Sequence, residues 1–168
     1  MNDKKIKIRL LSDGARMPRK AHEGDAGFDV FIPHDTIIKP GRNMVPLDIA
    51  IELPEWHQAQ IEPRSGFSSK GIEGHCYIFE NPQTGDREHG TLRRWDADVI
   101  HGKVDACYRG NIGVIIKSYE PRRFTLEAGT KIAQMTIYEL PHISGFEITD
   151  TLSESDRGTD GFGSSGSR

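Results

Sequence analysis

The sequence predicts an all-β fold of sandwich, jelly-roll or barrel type, on three observations. Short runs rich in Val, Ile, Thr, Phe and Tyr recur along the chain. Pro and Gly interrupt them at close intervals, and only one run is long enough to compete as a helix. The interruptions carry weight because Pro removes a ladder donor and Gly leaves a strand with nothing to pack. A chain of 168 residues suits one domain of ordinary size, with enough length to bury a core without disulfide staples.

KIKIRLL (5–11) alternates and reads as the first strand. GFDVFI (27–32) is the next, followed by the turn-prone PHD, and TIIK (36–39) ends at Pro40-Gly41. NMVPLDIAIEL (43–53) carries one or two strands and stops at Pro54; HQAQIEP (57–63) alternates and ends at Pro63. NIGVIIKSY (111–119) is β-branched, and FTLEAG (124–129) turns into KIAQMTIYEL (131–140), which stops at Pro141. That last run is the best helical competitor, but its β-branched content and Pro/Gly brackets make it a strand. Residues 73–98 break the rhythm: CYIF is a strand, NPQTGD a turn and TLRRW the returning partner of CYIF, an inserted and protruding hairpin. Beyond Asp150 the chain is polar and Gly/Ser-rich. Residues 1–150 are therefore expected as the β domain and 151–168 as a mobile arm.

Composition narrows the function classes. A formal charge of −3, an isoelectric point of about 6.2 and the lack of a long basic run speak against a nucleic-acid groove. No stretch reaches the length of a membrane span. MNDKKIKIRLL lacks a long apolar region and a cleavage site, so export is not expected. Cys76 and Cys107 form no CxxC pair and are expected as reduced thiols of a cytoplasmic protein. The nearest approach to a metal cluster, His75-Cys76 with His89, fits no zinc spacing.

Four stretches carry chemistry. PRSGFSSKG (63–71) offers Arg64, hydroxyls and Lys70 around glycines just after a strand, which is either an anion-binding turn or a plain polar loop. In GKVDACYRGNIGVIIK (102–117), Asp105 lies between apolar neighbours close to Tyr108. It is either a general base for water or a turn residue, with Tyr108 a core residue whose hydroxyl is paired. In EGDAGFDVF (23–31), Asp25 is explained by a turn, whereas Asp29 sits in a strand, where Asp is disfavoured. The tail RGTDGFGSSGSR sets Arg157 and Phe162 among Gly and Ser, a composition able to wrap phosphate and stack on a base.

In chain order, GDAGFDVF, PRSGFSSKG, GKVDACYRG, AGTKIAQMTI and RGTDGFGSSG resemble the ordered motifs of the trimeric deoxyuridine triphosphate nucleotidohydrolases (dUTPases), across residues 21–166. The resemblance implies a jelly-roll-like β subunit in a homotrimer, with active sites at subunit interfaces built from every chain. It implies Mg2+-assisted attack of water on the α-phosphate of dUTP, giving dUMP and pyrophosphate; this lowers dUTP and supplies dUMP for thymidylate synthesis. By the same resemblance Asp105 deprotonates the water, and Tyr108 packs on the deoxyribose and excludes a 2′-hydroxyl. Lys103 and Val104 lend backbone beside the uracil. Arg64, Ser65 and Gly66 form the phosphate turn. Asp29 organises the metal through its waters, and Gln134 lies near the attacking water. Arg157 and Ser164 hold the γ-phosphate, with Phe162 over the base and Gly163 among the substrate-binding residues. Phosphoryl transfer needs charge neutralisation and positioning above all, which suits this residue set. Two other readings share parts of the pattern. A dCTP deaminase of the same fold requires a catalytic glutamate in a different motif order, and a dUTPase-like regulatory module would use residues 73–98 as a protein contact.

Overall fold

Among the described residues, fifteen β-strands and one short helix follow one another along the chain. The structure is a computed structural model and describes residues 5–76, 78–80, 83–84, 87–156 and 158–159, with backbone alone at 78–80 and 87–89. The order is β1 (Lys7–Leu10), β2 (Phe28–Phe31), β3 (Thr36–Ile38), β4 (Gly41–Pro46), β5 (Ile49–Glu52), β6 (His57–Glu62), α1 (Ser65–Lys70), β7 (Ile72–His75), β8 (Ile78–Glu80), β9 (Arg87–His89), β10 (Leu92–Trp95), β11 (Ala97–Ile100), β12 (Gly102–Asp105), β13 (Gly113–Ser118), β14 (Phe124–Leu126) and β15 (Lys131–Glu139). All pairings between these strands are antiparallel, in sheets ordered β12-β6-β15-β2, β10-β7-β14-β3 and β11-β13-β4, with the two-stranded pairs β1-β5 and β8-β9.

The sheets close on one core. Val30, Ile38, Val45, Ile61, Val114, Ile116, Phe124, Leu126 and Ile132 are at most 1 % exposed. Alternation drives this: on β13, Val114, Ile116 and Ser118 are buried while the residues between them are only half-buried, as expected where one face of a strand meets the core. KIAQMTIYEL is a strand, as its β-branched content predicts, and it pairs on both edges, with β6 and β2.

Its pairing with β2 shifts register by one residue between Lys131 and Ala133. This β-bulge has a geometric consequence. In a regular strand, residues three apart point to opposite faces. The extra residue brings Lys131 and Gln134 to the same face, and each is half-buried there while Ile132 and Ala133 turn inward.

The protruding segment differs in detail from its sequence reading. TLRRW pairs not with CYIF but with the preceding IEGH: Leu92 faces His75 and Trp95 faces Ile72. Ile78 and Glu80 instead face His89 and Arg87. The register of both sets of rungs is the same, and Cys76 N–H donates to Thr91 O at 3.1 Å between them, so this is one ribbon turning at Gln83-Thr84. Its root is fixed by burial. Trp95 is 3 % exposed, stacks on Phe124 with ring centroids 4.7 Å apart and donates from Nε1 to Gly74 O at 2.8 Å. Pairing CYIF with TLRRW directly would pull that indole out of the core. Beyond β15, residues 141–156 are exposed and carry neither strand nor helix.

Candidate active site

PRSGFSSKG is not a loop. Ser65–Lys70 forms helix α1, with Arg64 extended at its start (φ −83°, ψ 141°) and Phe67 buried. Six residues cannot hold a helix by propensity alone. Burial of Phe67, and the Arg64 carbonyl accepting from the Phe67 and Ser68 amides at 2.9 and 3.0 Å, fix it instead. The helix ends at Gly71, whose φ of 72° and ψ of −173° belong to a region open to Gly alone. A Cβ there would also run into the Trp95 carbonyl. At Gly66 a Cβ would meet nothing within 4 Å, so this turn faces open space.

Arg64 leads from that turn back to Asp29. Its Nε lies 2.8 Å from Asp29 Oδ1, and Lys131 Nζ lies 2.8 Å from Oδ2, an ion contact that lacks hydrogen-bond geometry. Asp29 is 8 % exposed, which explains an Asp inside a strand: it is the counter-charge of two cations. Gln134 pairs with Asp29 across the sheet and donates from Nε2 to Pro63 O at 3.2 Å. Asp25, by contrast, serves its turn, accepting from His22 N–H at 2.8 Å, and that hydrogen bond holds its carboxyl below the usual range. Arg64, Gly66, Lys70, Lys131 and, from the ribbon, Arg94 line a cleft of about 420 Å³. Sequence reasoning missed Lys131, because strand alternation puts it on the face away from Gln134 and a bulge cannot be read from the sequence pattern.

Asp105 and Tyr108 line a second cleft of about 430 Å³, together with Met44, Lys103, Val104 and Gly113. Asp105 ends β12 and starts a turn in which Tyr108 N–H donates to its carbonyl at 3.0 Å. The carboxylate itself is held by no donor among the described residues. Tyr108 is 46 % exposed and donates its hydroxyl to Asn111 O at 3.0 Å, so it is a paired ring on the surface rather than a core residue. Asn111 in turn donates to Asp48 Oδ1 at 2.8 Å. This bond above all, with the Ser12 hydroxyl as a lesser contributor, holds the Asp48 carboxyl below its ordinary value. Lys103 and Val104 lie on β12, the edge strand of its sheet. One side of their backbone pairs with Gln60 and Ala59 on β6; the other pairs with no strand among the described residues.

One chain does not join these halves. Asp105 sits opposite Gln58 on β6, whereas Gln134 sits opposite Glu62, four residues on and about 13 Å away along the strand. Asp29, Arg64, Ser65, Gly66 and Gln134 cluster at one end of the sheet; Asp105 and Tyr108 lie at the other, with Val104 and Lys103 leading back along β12 opposite Ala59 and Gln60. Arg157, Phe162, Gly163 and Ser164 lie outside the described residues. Among the described residues, no group of three or more His, Cys, Asp and Glu is placed to hold a metal ion, and none of their helices is long and apolar enough to cross a membrane.

Comparison with known proteins bears on the whole chain. The deoxyuridine 5'-triphosphate nucleotidohydrolase of Clostridium tetani is 39 % identical over 168 residues, covering 99 % of both chains. That of cowpox virus is 34 % identical over 155 residues, covering 92 % of this chain and 88 % of its own. The solved structure of the Staphylococcus bacteriophage 80alpha dUTPase with dUPNHPP superposes with a TM-score of 0.74 at 27 % identity, covering 96 % of this chain and 98 % of its own. The dUTPase family model matches residues 13–86 and 95–166; between these segments it leaves out residues 87–94, on the returning side of the ribbon. With both ends of the candidate site inside the matched stretches, the chain belongs to the dUTPase family.

Proposed function

We propose that this chain hydrolyses dUTP to dUMP and pyrophosphate as a homotrimer. One observation carries the reading: a cationic half, Arg64 with Asp29 and Gln134, and a carboxylate half, Asp105 with Tyr108, stand at opposite ends of one sheet. A second copy would supply to each half what its own chain keeps distant. The curated relatives are named for this activity, and the phage enzyme was solved with a dUTP analogue.

In this reading the Asp105 carboxylate, bound by no donor among the described residues, takes a proton from water attacking the α-phosphate. The Tyr108 ring, fixed through its hydroxyl to Asn111 O, packs on the deoxyribose. The open edge of β12 at Lys103 and Val104 offers backbone donors and acceptors to uracil. A hydrogen-bonding edge rejects a base of the wrong donor pattern more strongly than an apolar pocket rejects an extra carbon. Arg64 and the amides of Ser65 and Gly66 neutralise the phosphates, with Gln134 beside them. Asp29 already faces two cations, and no metal cluster surrounds it among the described residues. Mg2+ therefore fits as part of the substrate, carried on triphosphate oxygens, with Asp29 reaching it through water.

Residues 151–168 act as an arm, with Arg157 and Ser164 on the γ-phosphate, Phe162 over the base and Gly163 among the substrate-binding residues. Support comes from the exposed approach to it, where Phe146, Ile148 and Leu152 are uncovered by their own chain. Cys76 and Cys107 are both free thiols, which fits the cytoplasm. A dCTP deaminase finds no support in the relatives. Pyrophosphate release measured across dUTP, dCTP, dTTP and UTP tests the reading: turnover of dUTP alone supports it, and equal turnover of UTP or dTTP overturns it.

A further inference from the structure

We propose that Arg94, carried by the ribbon, is an additional phosphate-binding residue of this site, contacting the β- and γ-phosphates of the substrate and the pyrophosphate that leaves. The proposal rests on the dUTP-hydrolysis reading for its substrate, but its geometry stands apart from it.

Arg94 lies between the two matched segments of the family model, in residues 87–94, outside the phosphate turn that the ordered motifs mark. Its neighbour Trp95 is locked inward by the Phe124 ring and the Gly74 carbonyl. Alternation along β10 then turns Arg94 outward, into the cleft shared with Arg64, Lys70 and Lys131. Arg94 and Glu73 are directly opposed across β10 and β7, and Arg94 Nη2 donates to Glu73 Oε1 at 2.7 Å.

That ion pair parks the guanidinium without consuming it. Its side chains are 51 % and 58 % exposed, and such pairs contribute little because water screens them. A multiply charged phosphate, which accepts bidentate bonds from Arg, is a stronger partner than a screened carboxylate. The charge count agrees. Among the described residues, Arg64, Lys70, Arg94 and Lys131 meet only two carboxylates, Glu73 in the cleft and Asp29 behind it. Two positive charges are left over for an anion.

The test is isothermal titration of inorganic pyrophosphate, with Mg2+ present, into the full-length wild type and the variants Arg94→Ala, Glu73→Gln and the double variant, alongside dUTP kinetics. Arg94→Ala should weaken pyrophosphate about five- to tenfold and raise KM for dUTP in parallel while kcat holds, as expected for loss of one charge-assisted contact. Glu73→Gln should tighten pyrophosphate by releasing Arg94. The double variant separates contact from mere neutralisation of Glu73: affinity as weak as Arg94→Ala supports the proposal, and wild-type affinity overturns it. Unchanged affinity in Arg94→Ala also overturns it. Should Arg94→Ala fail to fold, Arg94→Gln replaces it in both the single and the double variant, with the same outcomes supporting or overturning the proposal. Arg94-dependent pyrophosphate binding without dUTP turnover would fault the substrate reading and leave the anion site standing. Turnover with Arg94-independent binding would do the reverse.

Discussion

Arg64 meets Asp29 through its inner nitrogen, Nε to Oδ1 at 2.8 Å, which keeps the outer nitrogens of the guanidinium for whatever occupies the cleft. The carboxylate thus works as a bracket: it sets the plane of the Arg64 fork while Lys131 balances its second oxygen.

Replacing that bracket gives the first prediction. Asp29→Asn keeps the shape but leaves two cations facing a neutral group. KM for dUTP should rise about tenfold as Arg64 loses its orientation. Unfolding free energy should fall by about 1–3 kcal/mol, since a buried charged contact is lost. Steady-state kinetics and urea unfolding on one preparation check both.

Asp105→Asn removes the base and preserves the turn, whose hydrogen bond runs through the backbone carbonyl. Turnover should fall about 10²- to 10⁴-fold, the range for loss of a general base. Binding of a non-hydrolysable dUTP analogue should stay within about threefold, a modest contact change. Wild-type turnover in this variant would remove Asp105 from the mechanism.

A site divided between copies predicts complementation. Asp105→Asn and Arg64→Ala should each be inactive alone. Co-assembled in equal amounts they should recover about a quarter of wild-type turnover, the share of sites drawing both residues from intact chains under random assembly. No recovery in mixed oligomers would place both residues in a site made by one chain.

Gly71→Ala should destabilise the fold by about 3 kcal/mol or more, combining a Gly-only backbone region with a steric conflict. The Trp95 carbonyl is what the new methyl would strike. Thermal melting of this variant beside Gly66→Ala, where a Cβ meets nothing, isolates the effect.

Asp48 predicts an acid limb. Its carboxyl is held below the ordinary value of 3.8, first by the Asn111 hydrogen bond and then by Ser12. A depressed folded pKa means that the contribution is complete above the unfolded pKa and is lost as pH falls through the folded one. Stability should therefore decline as pH drops below about 4. Asp48→Asn, which tolerates the local φ of 54° as Asn often does, should flatten that decline in urea titrations at pH 7 and pH 3.

Much of this was legible in the sequence. Strand runs bounded by Pro and Gly gave β1 to β6 and β13 to β15, because alternation and breakers act locally. Asp29 is anomalous in a strand on sequence grounds, and the structure supplies its cause in Arg64 and Lys131. What stayed hidden depends on distant chain. The helix at Ser65–Lys70 exists because Phe67 finds the core. The partner of TLRRW is chosen by the Trp95 indole. Lys131 reaches the site through a one-residue bulge. Asn111 and Asp48, 63 positions apart, meet only because the fold closes. The ordered motifs named the chemistry and implied a site shared between chains; they could not give the spacing along β6 between Asp105 and Gln134.

The shared register of the ribbon also makes it a cassette. His75 with Leu92 and Ile78 with His89 obey one pairing rule, so removing two residues from each limb beyond Cys76 would shorten the projection without changing which face any remaining rung presents. The root, where Trp95 and Arg94 do separate jobs, would not register the cut. The cleft beneath it would stay the same, so a new turn or a reporter spliced at Gln83-Thr84 should leave the chemistry untouched.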